Sequence, residues 1–392
     1  MKKLSFGHTY FSCYIGIFVQ AVVCGFMPLL FVIFNREYHI PLYLITLFTT
    51  VNFLTQLVTD TVSILFVERI GYRRLGVLAH LLTFVGLFLL GIASPKSDNL
   101  YAVIMSAVVL FSVGGGLLEV MLSPVIEGCP SKNKAAAMSM LHSMFGFGSA
   151  ATILITTGAI WLFGWQNWQN IALFWSVIPL LNAIYFMFIP INDMVGKDER
   201  TPIKKLLSDR RFWGFFLIMA CGGASEIGIS QWSSAFAEKS LGVSKAVGDI
   251  LGPCAFALML ALSRFSYSKL ADKIDLEKCI IACGVFGVLC YSVAALSPFE
   301  MVALIACGLC GFFMGVLWPG TLSLAAKAYP MGGATLFALM ALGGDVGCTT
   351  GPTIVGFVSS IFGGELKAGL LTGALFPLIL VVGLLILRRK KA

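Results

Sequence analysis

The chain has 392 residues, of which 58% are hydrophobic and only 12% are charged. An ordinary soluble domain carries about 25% charged residues, so this composition excludes a soluble globular protein and indicates one embedded in a lipid bilayer. The formal net charge of +8 follows from membrane topology and contact with anionic lipid, so it requires no nucleic-acid partner. The apolar runs lack the period-two alternation of transmembrane β-strands, which predicts helices.

Twelve apolar runs reach the roughly 20 residues that an α-helix needs to cross a ~30 Å hydrocarbon layer. They are residues 9–34, 42–66, 75–94, 100–128, 135–162, 168–191, 212–238, 246–268, 276–297, 299–328, 333–362 and 366–388, here numbered spans 1 to 12. The sequence therefore predicts an all-α integral membrane protein with twelve transmembrane helices.

Basic residues predict the orientation of these spans. If the N-terminus is cytoplasmic, all but five of the 27 Lys and Arg residues fall on the cytoplasmic side. The exceptions are Arg36, Lys96, Lys239, Lys245 and Lys367. Because Lys and Arg concentrate in cytoplasmic loops, this asymmetry predicts a multi-pass protein of the plasma membrane with both termini in the cytoplasm.

Two loops share a sequence pattern. Residues 66–74 read FVERIGYRR and residues 270–278 read LADKIDLEK, and aligning their acid-base-Ile triplets gives an offset of 204 residues (272 − 68 = 204). This repeat predicts two related six-helix halves, 1–191 and 212–392, joined by a cytoplasmic linker at 192–211. Transporters use such repeats to rock one half against the other around a midplane site. The predicted gating residues of the two loops are Glu68, Arg69, Arg73, Asp272 and Lys273.

Four acidic residues lie inside the predicted spans, namely Asp60, Glu119, Glu226 and Asp345. A charge at a helix centre costs about 2.5 to 3.5 kcal/mol on insertion scales, so each acid requires a reason. Arg264 and Lys327 are placed near the cytoplasmic ends of their spans, so no base is expected at the depth of the acids. The four acids are therefore predicted to face water, share protons, or hold a cationic or polyhydroxyl ligand, and neutral polyols, sugars or cations are favoured over anionic solutes.

Span 7 contains a Gly- and Ser-rich stretch around Glu226, Gln231 and Trp232. Such a stretch lets a helix break or a ligand approach the backbone, and these three side chains offer an acceptor, an amide and a stacking face for a sugar. The alternative is close packing between helices through small residues, which explains the Gly and Ser residues but not Glu226.

Other polar residues in the spans have two interpretations each. Asn52, Gln56 and Asp60 recur every four residues in span 2, so they either line a cavity or bond neighbouring helices. His142 in span 5 either contacts substrate and relays protons or is a histidine satisfied between helices. Gln20 in span 1 is a candidate donor to substrate on the same terms.

The two loops resemble the signature of the major facilitator superfamily, which is roughly G-x-L-A-D-R-x-G-R-R. In the first copy Ile64 replaces a glycine and Glu68 replaces the aspartate, and in the second copy Ser268 and Asp275 replace glycines. The resemblance implies a major facilitator fold, with twelve transmembrane helices in two six-helix halves.

Span 4 reads G-x-x-L-E-x-x-x-x-P, as Gly115, Leu118, Glu119 and Pro124, and resembles the pattern of the fucose:proton symporter family within that superfamily. Segments in spans 7, 10 and 11 resemble further patterns of this family, and they read SEIGISQW (225–232), LWPGTLSLA (317–325), and GGD (343–345) with GPTIVGFVS (351–359). The similarity is spread over both halves of the chain.

This closer resemblance implies roles for particular residues. Glu119 would carry the coupled proton, and the implied substrate contacts are Glu226, His142, Gln231, Trp232 and Trp318. Three positions depart from the family's fucose carrier: Cys24 replaces an acid, Met314 replaces an asparagine, and Asp345 replaces a glycine. These departures allow the substrate to differ from fucose, or from sugars altogether.

The complete set of predicted substrate-binding residues is Gln20, Glu119, His142, Glu226, Gln231, Trp232, Trp318 and Asp345. The predicted proton-coupling residues are Glu119, Glu226, Asp345 and Asp60.

The leading hypothesis is a monomeric, proton-coupled symporter that imports a small neutral polar solute, a sugar above all. An exporter working by proton antiport is the first alternative, although span 5 lacks the proline of the G-x-x-x-G-P run of superfamily antiporters. A sodium-coupled carrier is the second. The sequence contains no H-E-x-x-H motif, Cys/His metal cluster or phosphate loop, so it predicts neither an enzyme nor any cofactor besides the coupling ion.

Overall fold

The computed structural model describes residues 4–63, 65–94, 97, 99–192, 201–233, 236–237, 242, 248 and 250–389. Every regular element in these residues is a helix. The predicted all-α fold is therefore confirmed for this part of the chain.

The first seven helices are α1 (Phe6–Glu37), α2 (Leu42–Ser63), α3 (Val67–Ile70), α4 (Tyr72–Ile92), α5 (Leu100–Gly128), α6 (Lys134–Phe163) and α7 (Trp168–Phe186). The remaining helices are α8 (Ile203–Ser208), α9 (Arg210–Ser230), α10 (Ala255–Leu270), α11 (Leu276–Leu296), α12 (Glu300–Met314), α13 (Leu317–Ala328), α14 (Gly333–Ile361), α15 (Leu366–Gly373) and α16 (Leu375–Arg389). A π-helical turn, Ile250–Cys254, leads into α10.

Ten helical stretches among the described residues are long and apolar enough to cross a membrane. Helices α2 and α14, of 22 and 29 residues, account for the other two predicted spans. The twelve-span architecture predicted from the sequence is thus confirmed. In span 8 helical structure is described at residue 248 and from Ile250 onward, and the predicted start at residue 246 lies outside the described residues.

Spans 10 and 12 each run as one apolar span, Glu300–Ala328 and Leu366–Arg388, in which the helical hydrogen bonding is broken once. Span 10 is interrupted between α12 and α13, and span 12 is interrupted at Ala374. Pro319 and Pro377 lie in the first turn of the helix that follows each interruption. Proline has no backbone N–H, so it cannot bond the carbonyl group four residues before it, and the helix loses that hydrogen bond.

The described helices pack into two compact units. The first consists of residues 1–130 and 147–194, and the second of residues 131–146 and 195–392. Helix α6 therefore contributes its first part to one unit and its second part to the other. The division of the chain at residues 191 and 211 stays a prediction.

A close approach between a glycine and a neighbouring helix occurs in both units. In the first unit, a Cβ placed on Gly116 of α5 would meet Gln56, Thr59 and Asp60 of α2. In the second unit, a Cβ on Gly315 would meet two residues of α10, Leu260 and Ser263. The α10 residues follow the first two α2 residues by 204 positions (260 − 56 = 204 and 263 − 59 = 204), so α2 and α10 keep the repeat offset, whereas the two glycines are 199 positions apart (315 − 116 = 199).

The repeat uses two different ways to begin the helix after its loop. In the first copy Gly71 precedes α4 with a φ of 88°, a left-handed conformation that glycine adopts without strain. In the second copy the equivalent residue is Asp275, whose carboxylate accepts a hydrogen bond from the Lys278 backbone N–H at 2.8 Å. The aspartate that departs from the superfamily signature is therefore the N-cap of α11.

Helices α9 and α14 approach each other closely through small residues. Glycines recur every four positions along one face of α14, where each meets a backbone carbonyl of α9. The facing pairs are Phe216 with Gly343, Ala220 with Gly347, and Ala224 with Gly351. Small residues let backbones come into contact, which is the usual means of close helix association in a membrane.

Asp209 joins the start of α9 to the end of span 10. Its carboxylate accepts hydrogen bonds from the Tyr329 hydroxyl at 2.6 Å and from the Arg211 backbone N–H at 2.8 Å. The Tyr329 bond is the main cause that holds the pKa of Asp209 below its usual value, and the Arg211 bond adds to it.

Substituting Gly347→Ala should destabilise the second unit by about 1–3 kcal/mol, because the added Cβ would collide with the Ala220 carbonyl. Gly158→Ala is the matched control, since nothing lies within 4 Å of a Cβ at that position of α6. The control should be neutral or stabilising by about 0.5–1 kcal/mol, because alanine is the better helix former. Thermal unfolding of the purified variants in detergent measures both, and equal midpoints would contradict the packing described here.

The Asp209 contact should give a pH-dependent contribution to stability. A carboxyl whose pKa is lowered by folding stabilises the folded state above its unfolded pKa of about 3.9, and this stabilisation is lost as the pH falls through the folded pKa. Tyr329→Phe should therefore lower the thermal midpoint at pH 7, and its difference from wild type should shrink below about pH 4. A difference that stays constant from pH 7 to pH 3 would contradict the assignment.

Candidate functional site

The predicted site residues form one polar cluster in each unit. In the first unit Gln20 of α1 lies between two helices that carry other candidates. Its side-chain nitrogen Nε2 donates to Glu119 Oε2 of α5 at 2.6 Å and to Gln56 Oε1 of α2 at 3.4 Å. Gln20 is 4% exposed and Glu119 is half-buried. The structure thus brings two of the predicted residues, Gln20 and Glu119, into direct contact.

The contacts continue along α2 beyond Gln56. Gln56 Nε2 donates to Asn52 Oδ1 at 2.8 Å, and the Ser112 hydroxyl of α5 donates to the same oxygen at 2.6 Å. Asn52 Nδ2 donates to the Val23 carbonyl of α1 at 3.3 Å. Of the two interpretations of the span 2 stripe, the structure supports bonding between helices for Asn52 and Gln56.

Asp60 and Cys24 flank this amide chain. Asp60 is fully buried, and its Oδ1 lies 2.9 Å from the position that a Cβ on Gly116 would take. The Cys24 sulfur lies 3.8 Å from Gln56 Oε1. Cys24 is therefore next to the same amide chain that ends at Glu119.

The first cluster has the chemistry of a site that gains and loses one proton. An ionised Glu119 accepts the Gln20 N–H, and both hydrogen atoms of that amide nitrogen are used, one toward Glu119 and one toward Gln56. Each donor in the chain from Ser112 to Gln20 is a neutral amide or hydroxyl group. A neutral donor supplies no counter-charge to a carboxylate, so this chain favours the ionised form of Glu119 less strongly than an ion pair would.

In the second unit, Glu226 of α9 forms a buried ion pair. Arg264 Nη2 of α10 lies 2.7 Å from Glu226 Oε2, and the two side chains are 3% and 9% exposed. The prediction that no base lies at the depth of the acids is therefore wrong. Side chains on a helix tilt toward its N-terminus, so the guanidinium of Arg264 reaches from the end of α10 toward the interior of the span.

Arg264 makes further hydrogen bonds to the backbone of two other elements. Its Nε donates to the Gly315 carbonyl at 2.7 Å, and its Nη1 donates to the His142 carbonyl at 3.2 Å. Pro319 lacks the N–H that would bond the Gly315 carbonyl in a continuous helix. The guanidinium therefore satisfies a carbonyl group that the interruption of span 10 leaves free.

Of the other span 7 candidates, Gln231 and Trp232 lie outside this ion pair. Gln231 is exposed. The Trp232 indole Nε1 donates to the Pro352 carbonyl of α14 at 2.9 Å, and a Cβ on Gly356 would lie 2.6 Å from the indole ring. The indole thus packs against α14, and the small residues of span 7 serve close packing. Binding of substrate by Gln231 and Trp232 stays a prediction.

Trp318, Asp345 and His142 belong to the same unit. Trp318 is the second residue of α13, and its ring lies directly against Gly344, the residue before Asp345. Asp345 is half-buried, and His142 is buried. The loop after α10 contacts the residue that precedes α6, where Asn133 Nδ2 donates to Asp272 Oδ1 at 2.8 Å.

The remaining predicted gating residues have varied surroundings. Arg73 donates to the Met187 carbonyl at 2.5 Å, just past the end of α7. Arg69 and Lys273 are exposed. Glu68 belongs to α3, but its side chain lies outside the described residues. Their gating role stays a prediction.

Sequence reasoning missed the importance of Arg264. Two signals in the sequence point to it. Arg264 follows Asp60 by the repeat offset (264 − 60 = 204), so a charged residue recurs at the same place in both halves. Pro319 lies four residues after Gly315 and has no N–H. It therefore indicates that the Gly315 carbonyl needs a donor other than the helix backbone.

Comparison with known proteins gives a consistent result. The sequence matches the family model of the Major Facilitator Superfamily over residues 9–332. Among curated proteins none matches it.

Three solved structures share the fold at low sequence identity. A variant of the E. coli fucose:proton symporter, FucP, is 15% identical with a TM-score of 0.76, and covers 96% of this chain and 98% of its own. FucP in an outward conformation is 15% identical with a TM-score of 0.79, over 97% and 99%. The proton:xylose symporter XylE, bound to 6-bromo-6-deoxy-D-glucose, is 12% identical with a TM-score of 0.79, over 96% and 94%.

The buried ion pair generates a prediction about stability. Arg264→Met leaves the Glu226 carboxylate buried without its partner, and Glu226→Met does the same to the guanidinium, so each should cost about 3–5 kcal/mol. The double variant leaves no uncompensated charge and should cost clearly less than the sum of the two. Thermal unfolding in detergent compares the three variants with wild type, and additive losses would show that the two side chains are not coupled.

Proposed function

Because the chain belongs to the major facilitator superfamily, we propose that it is a secondary active transporter that imports a small neutral polar solute, of the sugar class, together with a proton. Membership confirms the superfamily prediction made from the two loop patterns. The structural likeness to a fucose:proton symporter and a proton:xylose symporter supports the coupling and the substrate class as a proposal.

The observation that carries the proposal is the environment of Glu119. This carboxyl group lies within an apolar helix and accepts a 2.6 Å hydrogen bond from the neutral amide of Gln20. A carboxyl group at membrane depth costs free energy, so such residues are rare and usually functional. Proton transfer is the chemistry that they provide in carriers. We assign the coupled proton to Glu119.

The ion pair distinguishes Glu226 from Glu119 as a proton carrier. Glu226 is 2.7 Å from a guanidinium group in a buried setting. An adjacent positive charge favours the ionised form of a carboxyl group, so protonation of Glu226 would require the pair to separate first. Glu226 is therefore assigned to holding Arg264, while Asp60 and Asp345 stay candidates for assisting the proton transfer.

The ion pair also bears on the charge of the solute. A deep arginine would favour an anionic solute if its charge were available. Here Glu226 balances the charge of Arg264, and three nitrogen atoms of the guanidinium already bond Glu226, Gly315 and His142. A neutral solute agrees with a site whose only described deep base is neutralised in this way.

Glu119→Gln should abolish the accumulation of solute driven by a pH gradient. Reconstituted vesicles with an inward proton gradient are supplied with a panel of radiolabelled sugars, and net uptake and solute exchange are both measured. The variant should lose at least about tenfold in net uptake, whereas exchange should continue because a neutral glutamine mimics the protonated acid.

Glu300→Gln is the matched control, since Glu300 is an exposed acid in the first turn of α12. It should behave as wild type. Gradient-driven uptake that survives Glu119→Gln would refute the assignment of the proton carrier. Accumulation that follows a sodium gradient at constant pH would identify a sodium-coupled carrier, and expulsion of solute against the proton gradient would identify an antiporter.

A further inference from the structure

Arg264 joins three separate elements of the second unit through one guanidinium group. Its three nitrogen atoms donate to the Glu226 side chain, the Gly315 carbonyl and the His142 carbonyl. We propose that Arg264 is a positioning residue of the transport cycle. Its hydrogen bonds hold the interrupted part of span 10 against α9 and the first part of α6, and so fix the positions of Trp318 and His142. This inference rests on the proposed function for the role of those two residues toward substrate.

The interruption of span 10 makes this fastening necessary. A carbonyl group within a transmembrane helix normally bonds the N–H four residues later, and Pro319 provides none to Gly315. The next helical bond is present, because the Gly320 N–H donates to the Val316 carbonyl at 2.9 Å. Only the Gly315 carbonyl therefore loses its helical partner to Pro319, and Arg264 Nε occupies it at 2.7 Å.

The close approach of α12 and α10 is suited to this contact. A Cβ on Gly315 would lie 2.8 Å from the Leu260 carbonyl and 2.8 Å from Ser263 Cβ, so only glycine fits there without movement. The backbone of α10 thus lies against the interruption over the turn that precedes Arg264. The guanidinium needs to reach only across this contact.

The bond to α6 is reciprocal. Arg264 Nη1 donates to the His142 carbonyl at 3.2 Å, and the Ser139 hydroxyl donates to the Arg264 carbonyl at 2.7 Å. One turn further along α6, a Cβ on Gly146 would lie 2.8 Å from the Ala257 carbonyl. The first part of α6 is therefore held against α10 at the residue that also holds span 10.

The geometry requires arginine rather than a positive charge alone. A guanidinium group carries five N–H donors in a rigid, planar fork, whereas a lysine ammonium group donates from a single nitrogen atom. The acceptors of Arg264 belong to α9, to α6 and to the residue that follows α12. One ammonium nitrogen cannot take the places of three guanidinium nitrogens, so lysine would keep the ion pair and lose backbone contacts.

The residues that this fastening positions are candidate substrate contacts. Trp318 follows Gly315 by three residues and packs on Gly344, so displacement of the interruption moves its indole ring relative to α14. His142 is bonded through its own carbonyl group. Arg264 thereby controls two positions on different helices without contacting the substrate itself.

Arg264→Lys separates the positioning role from the ion pair. Hydrogen–deuterium exchange of the full chain in detergent, read by mass spectrometry, should accelerate about tenfold or more at residues 316–322 and 142–148, because local opening no longer breaks the guanidinium bonds. Lys269→Arg, an exposed cation on the same helix, should leave exchange unchanged. Unchanged exchange in Arg264→Lys would overturn the proposal.

A transport measurement then tests the consequence for substrate. In vesicles, Arg264→Lys should raise the KM for the transported sugar about tenfold while the maximal rate stays within about twofold, because binding geometry is lost and proton coupling is kept. Faster exchange with an unchanged KM would also overturn the positioning role. If wild type transports no sugar with protons, the proposed function fails, and the exchange measurement alone decides whether Arg264 fastens the interruption.

Pro319→Ala is a second variant. It does not change the ion pair, and alanine is compatible with a continuous helix. It restores an N–H that competes with Arg264 for the Gly315 carbonyl. Exchange at residues 320–322 should become slower as α12 and α13 join, and the KM should rise as in Arg264→Lys. A variant that joins the helices and keeps the wild-type KM would refute the role of the interruption.

Discussion

A polar group inside an apolar span of this chain must find its partner within the protein, because hydrocarbon supplies none. The first unit meets this constraint with neutral groups, since Gln20, Gln56 and Asn52 bond one another and the neighbouring backbone. The second unit meets it with an ion pair between Glu226 and Arg264. The polar residues that appear costly in the sequence are therefore what connects the helices of each unit.

Proline and glycine decide where those partners are needed. Pro319 releases the carbonyl of Gly315, and the absence of a side chain on Gly315 lets α10 come close enough for Arg264 to reach it. On the face between α9 and α14, Gly347 lets two backbones touch where no side chain could fit. Close packing and the replacement of lost backbone bonds are thus coupled properties of the same few residues.

The sequence predicts the spans and the repeat well, because length, hydropathy and the recurring loop are local features. It also predicts Gln20 and Glu119 as residues of one substrate site, and the two side chains are in contact at 2.6 Å. The partner of Glu226 is not predicted, because the position of Arg264 along its span gives the depth of its Cα atom only. The side chain extends toward the N-terminus of α10. The interruption of span 10 is not predicted either, because hydropathy does not register the loss of a single backbone N–H at Pro319.

Asp60 and Arg264 occupy equivalent positions of the two repeats (264 − 60 = 204) but carry opposite charges. Asp60 lies against Gly116 and Arg264 bonds Gly315, so an acid in one copy corresponds to a base in the other. A base that is fully bonded and paired can hold backbone in place, whereas Glu119 of the first unit accepts its hydrogen bond from a neutral amide and has no such ion pair in that bond. The repeat thereby supplies one framework for two tasks, with proton exchange assigned to the first unit and the fixing of substrate-site helices to the second.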